Sequence, residues 1–97
     1  MTEEIIKVKV PNGLHGRNLS ILIDSAMRFE SAIWIGKDGR QVNAKSLMGM
    51  LTLHVMYGDE IEIMADGSDS NEAVELIAEL IRTNFLDKSV IDKRHNN

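Results

Sequence analysis

The stretch Gly13-Leu14-His15-Gly16-Arg17 brings an imidazole, a guanidinium and two flexible glycine positions together. These are groups suited to handling an anion. The apolar residues that follow, Leu19, Leu22, Ile23, Ala26 and Met27, recur at i, i+3, i+4, i+7 and i+8. That spacing predicts a helix from about Arg17 to Met27 with one buried face, whose first turn lies near residues 16–18. The opening amides of a helix have no intrahelical partners and carry the positive end of its dipole, so the place beside His15 can receive an anion. Arg17 adds a forked cation there. A neutral imidazole is a nucleophile near pH 7 and also leaves again readily, which points to a phosphoryl group held covalently on His15. The bland alternative is a surface histidine that caps the helix; the glycines and the arginine around it favour the phosphoryl reading.

The elements that must position this loop are legible from periodicity. Ile6, Val8 and Val10 alternate with Lys7 and Lys9, which predicts a half-buried first strand before Pro11-Asn12-Gly13. After the helix, Ile33 and Ile35 point one way and Ala32 and Trp34 the other, and Asp38-Gly39 offers a tight turn into Arg40-Gln41-Val42. A short helix is expected to begin at Ser46 and end before Tyr57-Gly58-Asp59. Strand four follows, with Ile61, Ile63 and Ala65 alternating with Glu60, Glu62 and Met64. Asp69 and Glu72 predict a capping box for a last helix whose face is Ala73, Leu76, Ile77, Leu80 and Ile81. The order is βαββαβα, an α+β chain. One apolar side per strand makes the economical architecture an open-faced sandwich, an antiparallel sheet with all helices on one face. Residues 1–86 are expected to form one domain and the polar residues 87–97 a tail that frays.

Composition narrows the function classes. The 97 residues contain no cysteine, which excludes a disulfide framework and a thiolate metal site and fits a reducing cytosol. No apolar run approaches the roughly 18 residues that span a bilayer, and Met1-Thr2-Glu3-Glu4 does not open a signal peptide, so a cytoplasmic protein without membrane insertion is expected. Net charge is −4 and only four aromatics are present, a poor basis for binding nucleic acid. Neither histidines nor carboxylates fall at metal-ligand spacing; Asp66-Gly67-Ser68-Asp69-Ser70 reads as a turn and helix cap rather than a calcium loop. No metal and no cofactor is expected.

The short helix contains more apolar residues than one face can bury. If Met50 and Leu53 pack inward, Leu47 and Leu51 must face outward with Met48 nearby. Such a patch marks a docking surface unless a loop or the tail covers it. Ser46, at the start of this helix, is a favoured N-cap type.

These residues resemble the HPr phosphocarrier family of the bacterial phosphoenolpyruvate-dependent sugar phosphotransferase system. The His15 loop carries the resemblance together with a second block, Asn43-Ala44-Lys45-Ser46-Leu47-Met48-Gly49-Met50-Leu51, which is similar to the family's regulatory serine region. The similarity spans roughly residues 3–85. It implies a sheet order of 1-4-2-3 and phosphorylation of His15 at Nδ1. The Gly16 and Arg17 amides would bond the phosphate oxygens, and the Arg17 guanidinium would neutralise their charge. It further implies a stoichiometric carrier rather than a turnover enzyme. Phospho-enzyme I would be its donor and sugar-specific IIA proteins its acceptors, both met through a surface of Ser20, Leu47, Met48 and Leu51 on a monomer. Ser46 would be phosphorylated by an HPr kinase/phosphorylase, a form that binds a catabolite-repression transcription factor.

Three residues depart from the family pattern of His-Ala/Thr-Arg-Pro followed by a small residue. They are Gly16, Asn18 and Leu19. Gly16 and Asn18 loosen the turn that should grip phosphate. Leu19 either alters core packing or reshapes the rim of the partner surface. His54 stands where the family often has glycine and is expected at a helix end, partly buried, with a place beside the phosphate as the lesser alternative; His95 belongs to the tail. The main rival function is an HPr-like regulatory protein that acts through phosphorylated Ser46 and transfers poorly through His15. A small binding domain without phosphoryl chemistry is the third reading.

Overall fold

A computed structural model describes residues 1–86 of the chain. The predicted polar tail, His95 included, lies outside the described residues. Four strands, β1 (Thr2–Lys7), β2 (Ala32–Lys37), β3 (Arg40–Asn43) and β4 (Glu60–Asp66), form one antiparallel sheet in the order β1-β4-β2-β3. Three helices, α1 (Gly16–Ala26), α2 (Leu47–Leu53) and α3 (Ser70–Arg82), complete the expected βαββαβα order. Ile6, Ile33, Ile35, Ile61, Ile63 and Ala65 are buried, as the alternation predicts, and they pack beneath Leu19, Leu22, Ala73, Ile77 and Leu80 of the helices. The sheet's other face carries the charged and half-exposed set, including Glu60 and Glu62.

Two details of the strands depart from simple alternation. The β1–β4 ladder runs from Thr2↔Ala65 to Lys7↔Glu60, so β1 begins earlier and ends sooner than Ile6–Val10 suggests. Val8 and Val10 remain fully buried beyond it, because the chain bends there toward the loop before β4; Val8 N–H donates to Asp59 O at 2.8 Å and Gly58 N–H to Val8 O at 2.7 Å. Met64, placed by alternation on the polar side, is only 5% exposed. It lies in register with Trp34, and Gly36 leaves it room: a Cβ there would stand 3.3 Å from the Met64 methyl.

The Asp38-Gly39 turn closes the β2–β3 hairpin with both residues at positive φ, 52° and 82°, as a two-residue hairpin turn of right-handed twist requires. The capping box at α3 does not form. Asp69 is the N-cap residue, yet its carboxylate makes no cap hydrogen bond. It instead accepts the Glu30 and Ser31 amides, each at 3.0 Å, and the Ser31 hydroxyl. Tertiary donors, two of them on the buried Ser31, have won the carboxylate from the local amides. None of the described helices is long and apolar enough to cross a membrane.

Candidate functional site

His15 is the N-cap residue of α1, with extended backbone (φ −137°, ψ 162°), and its ring makes no cap hydrogen bond. The imidazole is therefore not spent on the helix. Gly16 follows at φ +57°, the left-handed region in which glycine is unstrained, with open space where a Cβ would stand. No acidic residue lies in the first turn of α1. Arg17, next in the chain, is exposed and has no ion pair among the described residues.

A second segment, residues 54–59, packs against this loop. Leu14 N–H donates to Val55 O at 3.0 Å, and Leu14 and Val55 are both buried. Gly13 permits the approach, since a Cβ there would lie 2.2 Å from Val55 O and 2.6 Å from Met56 Cα. The residues one step further along each segment then meet: His15 Nε2 lies 3.2 Å from Met56 Sδ. The His54 ring stands edge-on to that of His15, with centroids 5.4 Å apart and planes at 64°.

Segment 54–59 is itself anchored. His54 ends α2 in the left-handed conformation (φ 53°, ψ 59°) and is exposed, not partly buried as its apolar neighbours suggest, because that backbone turn directs it out of the core. Lys37, from β2, donates to His54 O at 2.7 Å and also pairs with Asp59 at 2.8 Å. The Asp59 carboxylate accepts Met56 N–H at 2.8 Å. The Lys37 ammonium and the Met56 amide hold the Asp59 carboxyl below its ordinary value.

Ser46 caps α2: its Oγ accepts Gly49 N–H at 3.1 Å, and the residue is half-buried. Met50 and Leu53 pack inward, while Leu47, Met48 and Leu51 are exposed by 54%, 71% and 46%, the division that the spacing requires. Ser20, Leu47 and Leu51 line a shallow groove between α1 and α2 with Gly16, Leu19, Ile23 and Asp24. Met48 lies outside that lining, on the exposed side of α2. Leu19 is 2% exposed, so its bulk is absorbed by the core and only edges the groove. Gly16 joins the groove to the His15 loop. Among the described residues no three His, Cys, Asp or Glu side chains gather into a metal-binding group.

Met56 carried no signal in the sequence. Its contact with His15 spans 41 positions and depends on the way two loops cross. His54 did stand out as a departure from glycine.

A four-stranded sheet in the order 1-4-2-3, helices on one face and a histidine at the head of the first helix define a phosphocarrier-type domain. The family model for the PTS HPr component phosphorylation site matches residues 2–83. The chain belongs to the HPr family. It is 37% identical to the HPr-like protein Crh of Bacillus subtilis over 82 residues, 84% of this chain and 96% of that protein. The crystal structure of HPr-C-His from Thermoanaerobacter tengcongensis superposes with a TM-score of 0.87 at 38% identity, covering 90% of this chain and 98% of the other. A crystal structure of the Bacillus subtilis catabolite repression protein Crh, described as a swapped dimer, gives 0.69 at 36% identity over 90% of this chain and all of that one.

Proposed function

We propose that this protein is a phosphocarrier that accepts a phosphoryl group on Nδ1 of His15 from phospho-enzyme I and passes it to IIA proteins of the phosphotransferase system. The observation that carries the reading is the His15 ring itself, free of capping duty beside the open amides of Gly16 and Arg17. In the forward step the Nδ1 lone pair forms a bond to phosphorus while the bond to the donor breaks, its electron pair staying with the donor. The ring becomes a cation that keeps its Nε2 proton, and the reverse displacement by an acceptor restores it. The amides stabilise the charge of the transferring group from the head of the helix, and the Arg17 guanidinium adds a positive charge beside it. The carrier is stoichiometric, acts in the cytoplasm and takes no cofactor. The Ser20, Leu47, Leu51 groove and adjoining Met48 meet enzyme I and the IIA proteins in turn, and affinity stays modest because each complex must dissociate.

Intact-mass spectrometry after incubation with phosphoenolpyruvate and enzyme I tests this reading. One added phosphate is expected that acid removes and that His15→Ala prevents; Arg17→Ala should slow its appearance. Labelling retained in His15→Ala would overturn the site.

The similarity to Crh favours a second reading, an HPr-like regulator in which an HPr kinase/phosphorylase modifies Ser46 and the product binds a catabolite-repression transcription factor. A phosphate at a helix N-terminus is tolerated by the dipole, so its effect falls on partners. Acid-stable, kinase-dependent labelling of Ser46 without labelling of His15 would select this reading over the first.

A further inference from the structure

We propose that Met56 is a positioning residue for His15, holding the proton on Nε2 and thereby leaving Nδ1 as the bare, nucleophilic nitrogen. The inference deepens the phosphocarrier reading and rests on it for its chemical purpose. Its physical basis is the 3.2 Å approach of Nε2 to Sδ. A thioether sulfur can accept a hydrogen bond and has no proton to give. The contact is attractive only when Nε2 carries hydrogen, and a neutral imidazole carries one, so Nδ1 holds the lone pair. In the other tautomer, two lone pairs would face each other across the same gap.

The backbone that carries the acceptor is fixed in place by the fold. Met56 N–H donates to the Asp59 carboxylate at 2.8 Å, and Met56 O accepts Asp59 N–H at 3.1 Å. Asp59 is in turn held by Lys37. On the donor side, the Leu14–Val55 backbone bond sets the spacing one residue before the contact. The His54 ring stands edge-on to that of His15, with centroids 5.4 Å apart, and adds a second neighbour to the imidazole.

A weak, neutral acceptor also suits the chemistry better than a carboxylate. A carboxylate on Nε2–H favours the imidazolium, in which neither nitrogen is nucleophilic. Here Asp59 spends its charge on Lys37 and the Met56 amide. When Nδ1 bonds to phosphorus the Nε2 proton stays where it is, so no proton has to move in the step.

The test compares the wild-type chain with Met56→Leu, which keeps the bulk and removes the acceptor, and Met56→Gln, whose side-chain carbonyl can accept in its place. The position is 39% exposed, so both variants are expected to fold, and their thermal midpoints check this. Two-bond 1H–15N correlations report the tautomer of His15. Phosphoramidate serves as a chemical phosphoryl donor that needs no partner protein, beside enzyme I. In the wild type, Nδ1 should resonate as a pyridine-like nitrogen and Nε2 as a pyrrole-like one. Met56→Leu should bring the two shifts together and slow phosphoryl acceptance about two- to fivefold, as for loss of one weak hydrogen bond. Met56→Gln should restore both.

Unchanged shifts in Met56→Leu would overturn the proposal, as would a Met56→Gln protein that behaves like Met56→Leu. A wild type that takes no phosphoryl group from enzyme I, yet shows the Met56-dependent tautomer, would remove the carrier reading and leave Met56 assigned. Normal loading with a Met56-independent tautomer would do the reverse.

Discussion

Removing the Asp69 carboxylate is expected to destabilise the fold well beyond the loss of a helix cap. The carboxylate gathers three donors, the Glu30 amide, the Ser31 amide and the Ser31 hydroxyl, and so ties the connection after α1 to the start of α3. Ser31 is 1% exposed. Gly67 closes over it, since a Cβ there would lie 2.5 Å from Ser31 Oγ, which leaves little room for water to replace the carboxylate. An unsatisfied buried donor costs about 1–3 kcal/mol. Asp69 itself is half-exposed and the three bonds are not additive, so Asp69→Ala should cost about 2 kcal/mol, against about 1 for a cap alone. For a domain of this size that lowers the thermal midpoint by roughly 8–16 °C.

A double-mutant cycle with Ser31→Ala should show coupling of about 1 kcal/mol, and Glu72→Ala should stay within about 0.5. The pH dependence has a definite sign. The Ser31 hydroxyl first, and the Glu30 amide next, hold the Asp69 carboxyl below its ordinary value of 3.8. A carboxyl with a lower value in the folded state stabilises fully above its unfolded value, and that contribution fades as pH falls through the folded one. The gap between wild type and Asp69→Ala should therefore be largest near neutrality and begin to narrow below about pH 4. Thermal unfolding by circular dichroism at pH 7 and at pH 3 measures it. A loss under about 0.5 kcal/mol, or an equal loss in Glu72→Ala, would refute the clamp and restore the capping box.

Three further outcomes can be measured directly. Gly13→Ala should cost at least about 2 kcal/mol in urea unfolding and displace the His15 resonances, because the methyl collides with Val55 O and the φ of +72° favours glycine; Gly16→Ala, with open space around it, should cost about 1. Ser46→Ala should lose about 1 kcal/mol as the Gly49 amide loses its acceptor, while Ser46→Asp, which can accept and suits the dipole, should fall within about 0.5 of wild type by the same assay. In an NMR titration the Met56 amide should shift with a midpoint below 3.8, since protonation of Asp59 breaks its bond to that amide; a midpoint at or above 3.8 would remove the Lys37–Asp59 anchor from the argument.

Local pattern was a good guide wherever a residue's fate depends on its own element. The inward set of Ile33, Ile35, Ile61 and Ile63 and the outward Leu47 and Leu51 follow from periods of two and 3.6, and the Asp38-Gly39 turn follows from the φ that glycine permits. The departures arise where another element intervenes. Asp69 left its cap for Ser31, Met64 was covered beside Gly36 and Trp34, and His54 was turned outward by the backbone at the end of α2.

For the site, the division is equally physical. The sequence by itself determined the chemical groups and their place in the chain: an imidazole at the head of an amphipathic helix, a guanidinium two residues on, and a serine that caps the next helix, all properties of side-chain type and short-range spacing. Only the tertiary structure decided how the imidazole is held. The neighbours that orient it, Met56 and His54, reach it across some forty positions through the crossing of two loops, and that crossing rests on Gly13, the Leu14–Val55 bond and the Lys37–Asp59 pair. Contacts of that separation leave no period in the chain, because they are set by packing the whole sheet against its helices.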